Sequence, residues 1–171
     1  MNYVSINEAK ADAGLRLVVN AGVPGPWSES AKALFRHHQV RFLAVPQIPA
    51  AANDDLVEWT GHRNAPIALY STEAPITRAL ELVQLAERLG SGPSLLPQTR
   101  SARIQVTGWI HEIAGEAGFG WCARHLIFDT WARQMNSEVR AANPMFAAYG
   151  YDENRQESML ESAQFFLRDL A

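Results

Sequence analysis

The chain has 171 residues, of which 47% are hydrophobic and 19% are charged, and its formal net charge is −3. This composition is typical of one globular domain, or of two small domains that share an interface. The weak negative charge, without a cluster of Lys and Arg, argues against nucleic acid as the main partner. The single cysteine, Cys122, excludes an internal disulfide and a cysteine-rich metal site.

Residues 1–14 form a predicted N-terminal extension. They carry Glu8, Lys10 and Asp12 where a secretory signal would have an apolar run. The sequence has no stretch of about 18 apolar residues, the length that a membrane crossing needs. We therefore expect a cytoplasmic protein that has no membrane partner.

A strand–helix–strand unit is predicted next. Residues 15–19 mix branched apolar side chains with one charge and end at a Gly- and Pro-rich loop over residues 20–26, which predicts a strand before a tight turn. Ser28 is the predicted N-cap of a helix, in which apolar residues recur at three- and four-residue spacing. Residues 40–45 predict a second strand.

A third strand and another helix follow. Residues 65–70 predict a short strand that opens with Pro66, where a missing amide donor is tolerated. Residues 77–89 carry apolar side chains with a helical period, and Gly90 ends that run. These patterns predict an α/β domain over residues 15–90.

The second half of the chain is predicted to be helical. After Pro97 no convincing strand appears, and three apolar stripes have helical spacing. The stripes begin at Val106, Ile127 and Met159. We therefore predict a linker over residues 91–97 and an all-α domain over residues 98–171.

The order of these elements resembles the glutathione transferases. The most specific piece is Ala65-Pro66, followed after ten residues by a helix start at Thr77, because that family has a Val-Pro strand and a helix start at a similar separation. The likeness covers the chain from Leu15 onward. It implies a thioredoxin-like N-terminal domain in which Pro66 is cis, a helical C-terminal domain, and glutathione as a cosubstrate.

The resemblance also implies how glutathione would be held. The main chain of Ala65, beside Pro66, would pair with the cysteinyl unit, and the helix start at Thr77 and Arg78 would hold the γ-glutamyl end. Asn64 lies near the position where relatives contact the glycyl end. The alternative is that Pro66 only stiffens a strand entry, that Thr77 only caps a helix and that Asn64 only forms a turn.

Conjugation would also need a group that activates the glutathione sulfur. In the family a thiol or hydroxyl stands close to the proline that ends the first loop, but this chain has Gly25 before that proline. Glycine has no nucleophile, although it lets a ligand approach the main chain. Ser28 is the first candidate donor and the Trp27 indole a neighbouring one. The alternative for Ser28 is helix capping alone, and Tyr3 is a second candidate that precedes the first strand by a dozen residues.

Two functions remain open at this point. The first is a cytosolic glutathione transferase-like protein that conjugates the thiolate to a hydrophobic electrophilic small molecule. The second is a non-catalytic binding or dimerisation module that has lost the activating residue. A glutathione-dependent isomerase or ether-cleaving enzyme, which would use the same thiolate, is a third alternative. The resemblance implies a homodimer in each case.

Several polar and aromatic residues lie together in the first long helix of the second half. The resemblance places Trp109 and Glu112 in the pocket for the acceptor substrate, or at the dimer face. His111, Glu112 and Glu116 lack the spacing of a metal site, so no metal is expected. The helical domain is shorter than in the family, which implies a truncated domain and a more open acceptor pocket.

Overall fold

The structure is a computed structural model that describes the backbone of residues 1–170 and the side chains of residues 1–169. It divides into two compact units at the bond between Arg103 and Ile104. The first unit carries all the strands of the sheet, and the second is built from helices. Each unit has its own hydrophobic clusters.

The first unit is a small mixed sheet with helices on both faces. Its elements are α1 (Ile6–Ala11), β1 (Leu15–Asn20), α2 (Pro26–His37), β2 (Phe42–Gln47), α3 (Asp54–Thr60), β3 (Ile67–Tyr70) and α4 (Ala79–Leu89). β1 lies in the middle, parallel to β2 and antiparallel to β3. The parallel pair joined through α2 confirms the predicted strand–helix–strand unit.

The central strand explains why helices cover both faces. Every residue from Leu15 to Val19 is buried. Because side chains alternate along a strand, Leu17 packs with Phe35 of α2, whereas Val18 packs with Leu56 of α3. A strand that is buried on both faces needs a helical layer on each side, which is the thioredoxin-like arrangement.

The segment before β1 also packs on this sheet. Tyr3 forms a parallel bridge with Ala44, and the Val4 N–H donates to the Ala44 carbonyl at 2.9 Å. Ala9 of α1 is fully buried in the same cluster as Val18. Residues 3–11 therefore contribute to the core of the first unit.

Two predicted helix starts are wrong. α2 begins at Pro26 with Gly25 as its N-cap, so Ser28 lies inside the first turn and does not cap the helix. Proline at the first helical position is favoured because its missing N–H has no partner there anyway. α4 begins at Ala79 with Arg78 as its N-cap, two residues after Thr77.

The second unit contains the predicted helices. α5 (Arg100–Ala114) crosses the boundary, and then follow α6 (Phe119–Ala132), α7 (Ser137–Ala141), α8 (Pro144–Tyr149), a short 3-10 helix (Glu153–Arg155) and α9 (Gln156–Leu170). Between residues 98 and 170 no strand forms, which confirms the helical prediction for the described part of this half. Cys122 of α6 packs against Met159 and Ala163 of α9.

None of the helices within residues 1–170 combines the length and hydropathy that a membrane crossing requires.

Candidate functional site

Three segments of the first unit meet where β1 ends. Val18 of β1 is opposite Ile67 of β3, and continuing this antiparallel register places Ala65 opposite Asn20, the last residue of β1. On the other side of β3, Ala68 and Ile76 form an antiparallel bridge with hydrogen bonds of 2.8 and 2.9 Å. Extending that register brings the Ala65–Pro66 segment alongside the start of α4.

The Ala65–Pro66 peptide bond is cis, as the resemblance to the glutathione transferases implied. Ala65 is half-buried and Pro66 is buried. Within the described residues, neither the N–H nor the C=O of Ala65 has a hydrogen-bond partner in the protein. The opposite residue, Asn20, makes its main-chain bonds elsewhere: its N–H donates to Ser28 and its carbonyl accepts from Tyr3. Ala65 therefore presents one donor and one acceptor to a ligand.

The start of α4 supplies a second set of donors. Arg78 is its N-cap, and no side chain caps the helix. The first amides of an α-helix have no intrahelical partner, and they carry a partial positive charge that favours an anion. Within residues 1–169 the side chains of Thr77, Arg78 and Asn64 make no hydrogen bond. Arg78 and Asn64 are exposed and Thr77 is half-buried, so all three can reach a ligand.

Ser28 is held by a polar network at the same end of the sheet. Its hydroxyl donates to Asn20 Oδ1 at 2.8 Å and accepts from the Asn20 N–H at 3.1 Å. The Asn20 amide in turn donates to Gln47 Oε1 at 2.7 Å, and Gln47 is fully buried. Ser28 is 1% exposed. In this arrangement its hydroxyl anchors the loop between β1 and α2.

Asn20 and Gln47 belong to the candidate site, and the sequence prediction missed them. The available signal was that each is a polar residue at the end of an apolar strand. Carboxyl ends of neighbouring parallel strands meet at one edge of the sheet, so two such residues come together there.

Gly25 is required by this network. A Cβ atom at position 25 would lie 2.0 Å from Asn20 Oδ1, so a larger residue would displace the Asn20 side chain. The Gly25 N–H donates to the Val23 carbonyl at 3.0 Å, and a ligand would have to compete with that bond. Trp27 follows in the first turn of α2 and is half-buried.

Tyr3 lies at the site although it is remote in sequence. Its hydroxyl donates to the Asn20 carbonyl at 3.2 Å, and the residue is 41% exposed. The bridge between Tyr3 and Ala44 brings the N-terminal segment alongside the strands. A phenol is therefore present at the end of β1, which residue spacing alone did not indicate.

The residues predicted for an acceptor pocket lie in the second unit. Trp109 and Glu112 both line an open groove of about 1250 Å³ formed by α5, α6 and α9. The Trp109 and Phe119 rings both contact Phe166, with centroid distances of 6.0 and 4.9 Å. Among the described side chains, no group of three or more His, Cys, Asp or Glu is placed to hold a metal ion.

No protein-family model and no curated protein matches the chain. Its fold does occur in solved structures. A glutathione S-transferase from Methylobacillus flagellatus KT with GSH bound superposes with a TM-score of 0.61 and 14% identity, over 91% of this chain and 68% of that one. A glutathione S-transferase from Methylobacterium radiotolerans JCM 2831, in complex with glutathione sulfonate, superposes with a TM-score of 0.55 and 16% identity, over 87% of this chain and 63% of that one. A third, from Xanthobacter autotrophicus Py2, has a TM-score of 0.53 and 15% identity, over 86% of this chain and 67% of that one.

These likenesses show the fold. The chain has the glutathione-transferase fold, with a thioredoxin-like first domain followed by a helical one. It spans about two thirds of the length of these structures.

Proposed function

We propose that the first unit of this protein binds glutathione. The observation that supports this most is the main chain of Ala65, which has a donor and an acceptor without partners in the described residues and lies alongside the uncapped start of α4. Two solved structures of the same fold hold GSH and glutathione sulfonate, respectively.

Each part of the tripeptide has a matching group. The Ala65 N–H and C=O pair with the cysteinyl unit as a neighbouring strand would. The free amides of α4, with Thr77 and Arg78, hold the γ-glutamyl carboxylate by charge-assisted hydrogen bonds. Asn64 contacts the glycyl end. Pro66 fixes the direction of the Ala65 carbonyl.

The sulfur is placed towards the loop that contains Gly25 and Trp27. A free thiol with a pKa of about 8.5 is only a few per cent ionised at pH 7, so conjugation requires a group that stabilises the thiolate. Ser28 is almost fully buried and its hydroxyl donates a hydrogen bond to Asn20, which favours a positioning role over contact with sulfur. We therefore favour the binding module over the transferase.

Conjugation is the second candidate because the phenol of Tyr3 lies exposed beside Asn20. In that case glutathione is a cosubstrate, Tyr3 or Ser28 stabilises its thiolate and no metal takes part. Trp109 and Glu112 then contact the hydrophobic electrophile. We propose a homodimer in the cytoplasm for either function, and sedimentation tests the dimer.

Calorimetric titration with glutathione tests binding. We expect a dissociation constant in roughly the millimolar range or tighter. Arg78→Gln should weaken binding about fivefold to tenfold, because a charge-assisted hydrogen bond is lost. Arg41→Gln is the matched control, since Arg41 is exposed just before β2, at the opposite end of the sheet. If no heat is released at millimolar glutathione, the protein does not bind it and the proposal is wrong.

A conjugation assay with an aryl halide separates the two candidates. The binding module predicts no rate above that of free glutathione. If a rate is present, an undiminished rate in Ser28→Ala excludes Ser28 as the activator. A rate lost in Tyr3→Phe, with glutathione binding retained, assigns the phenol.

A further inference from the structure

A small cavity of about 100 Å³ lies inside the second unit. α6 forms one side of it, and the end of α8, the short 3-10 helix and α9 form the other. Its lining combines cationic, polar and apolar side chains. The ones that bear on its chemistry are Arg124, His125, Phe128, Tyr149, Arg155 and Met159.

The imidazole of His125 has an unmet hydrogen bond. His125 is 7% exposed, and within the described residues its Nε2 atom is buried without a partner. The ring is held in place by Tyr151, with 5.0 Å between the ring centroids. Buried polar atoms are nearly always paired, and the unpaired Nε2 belongs to a ring that lines the cavity, so a turn of the imidazole would bring it to a ligand there.

Two guanidinium groups line the same cavity. Arg124 lies over the rings of Trp121 and Tyr149, at 4.3 and 5.0 Å from their centroids, which fixes its position. Burial lowers the pKa of Arg124, as expected for a cation that has lost part of its hydration. The Arg155 side chain is exposed, and it makes no hydrogen bond or ion pair with any described residue.

Of the three carboxylates near these cations, Glu116, Asp152 and Asp129, only the first lines the cavity. Glu116 lines the cavity and is exposed. Asp152 lies outside the lining, and hydrogen bonds from the backbone and side chain of Asn154 lower its pKa, with smaller contributions from Arg155 and His125. Asp129 is already paired with Arg133 at 2.8 Å and with Tyr151 at 3.2 Å.

The size of the cavity limits what fits. An engineered cavity of about 150 Å³ holds benzene, so by proportion this one holds roughly four or five non-hydrogen atoms. Phe128 and Met159 make part of the lining apolar. An ion with charge on one end and a short alkyl group on the other satisfies both parts of this lining.

We propose that this cavity binds a short-chain monocarboxylate. The carboxylate accepts hydrogen bonds from Arg155 and from Nε2 of His125 in the tautomer that carries a proton there, and the alkyl group packs on Met159 and Phe128. Arginine suits this role because its planar fork matches the two oxygens of a carboxylate. Arg124 adds a fixed positive charge at the same wall.

Propionate and propionamide test this on the full chain, because the two molecules have the same shape and differ in charge. We expect propionate to shift the His125 ring resonances saturably, with a dissociation constant of roughly millimolar size. Propionamide should bind at least about tenfold more weakly. Arg155→Gln should weaken propionate binding by a similar factor. Arg168→Gln, the same change on α9 outside the lining, should leave it unaltered.

Several results would overturn the proposal. Equal binding of propionate and propionamide would show an apolar cavity without anion recognition. Tighter binding of phosphate or sulfate than of propionate would show that the ligand class is wrong. The absence of a saturable His125 shift, or an unchanged affinity in Arg155→Gln with native circular dichroism, would remove the site altogether. His125→Gln provides a second variant, in which affinity should also fall.

Discussion

The two units differ in how completely they bury their own groups. In the first, the central strand is buried from Leu15 to Val19, and the polar side chains at its end bond to one another. In the second, no residue of α5 is buried, and large apolar side chains are exposed on three helices. They include Ile104, Ile113, Ile127, Trp131, Phe165 and Leu167.

This difference indicates which groups can contact a ligand. Where side chains are fully paired, as around Asn20, the groups left over are main-chain atoms such as those of Ala65. Where pairing is incomplete, as at His125, a buried side chain itself needs a partner. The two candidate sites therefore offer a ligand different chemistry, main-chain atoms at Ala65 and side chains at His125.

The largest expected difference is in core stability. Leu17→Ala should cost about 3–5 kcal/mol, because Leu17 is fully buried in the largest cluster, between β1, α2 and α4. Met159→Ala should cost nearer 2 kcal/mol, because Met159 is 9% exposed and belongs to a small cluster. Hydrogen exchange of residues 15–20 and of α6 reports each unit separately. Equal losses would contradict the difference between the cores.

The next effect concerns the network at the end of β1. Gly25→Ala should destabilise the first unit by about 1–3 kcal/mol, because the new methyl would displace the Asn20 side chain from Ser28. Gly108→Ala is the matched control in α5, where a Cβ meets nothing within 4 Å. That control should stabilise its helix by up to about 1 kcal/mol. Urea unfolding of both variants checks the pair, and a neutral Gly25→Ala would show that Asn20 does not require glycine.

A smaller effect is expected on the stability of the second unit at alkaline pH. Burial raises the pKa of Tyr151, and its hydrogen bond to Asp129 raises it further. Because the folded state disfavours the phenolate, stability is full below about pH 10, the ordinary tyrosine value, and falls as the pH rises through the raised pKa. Tyr151→Phe should lose about 1 kcal/mol at neutral pH and flatten this alkaline fall. Unfolding measured across that range checks it, and an unchanged slope would contradict the assignment.

The smallest effect is expected on the stability of the first unit at acid pH. Burial alone would raise the pKa of Glu87, but hydrogen bonds from Ser94 and Leu95 and the nearby His38 lower it overall. A depressed pKa adds stability that is present above the ordinary glutamate value and is lost as the pH falls through the folded value. Glu87→Gln should flatten this acid limb by less than about 1 kcal/mol. Glu81→Gln, an exposed position on the same helix, should not change it.

The sequence predicted the order of elements, because hydrophobic period is a local signal, and its resemblance to the glutathione transferases implied the cis Ala65-Pro66 bond. It did not predict the helix start at Pro26, because a proline at the first helical position outweighed capping by Ser28. It missed the pairing of Asn20 with Gln47, which depends on two strands ending at the same edge of the sheet. Both errors lie at one end of the sheet, where tertiary contacts override local preference.

Tyr3 illustrates the same limit. Its distance from β1 along the chain argued against a role at the site, but the parallel bridge to Ala44 places its hydroxyl at Asn20. Conversely, the hydroxyl that the sequence favoured, that of Ser28, is buried and both donates and accepts a hydrogen bond within the protein.

The central claim, that the main chain of Ala65 holds glutathione, is tested most directly by its amide resonance. In a titration of the labelled protein, the account predicts that the Ala65 N–H signal moves progressively and saturates as glutathione is added. The amide of Gly14, which already donates to Asp12 at 2.6 Å before the opposite end of β1, should stay fixed. A saturable response elsewhere with an unmoved Ala65 amide would contradict the account.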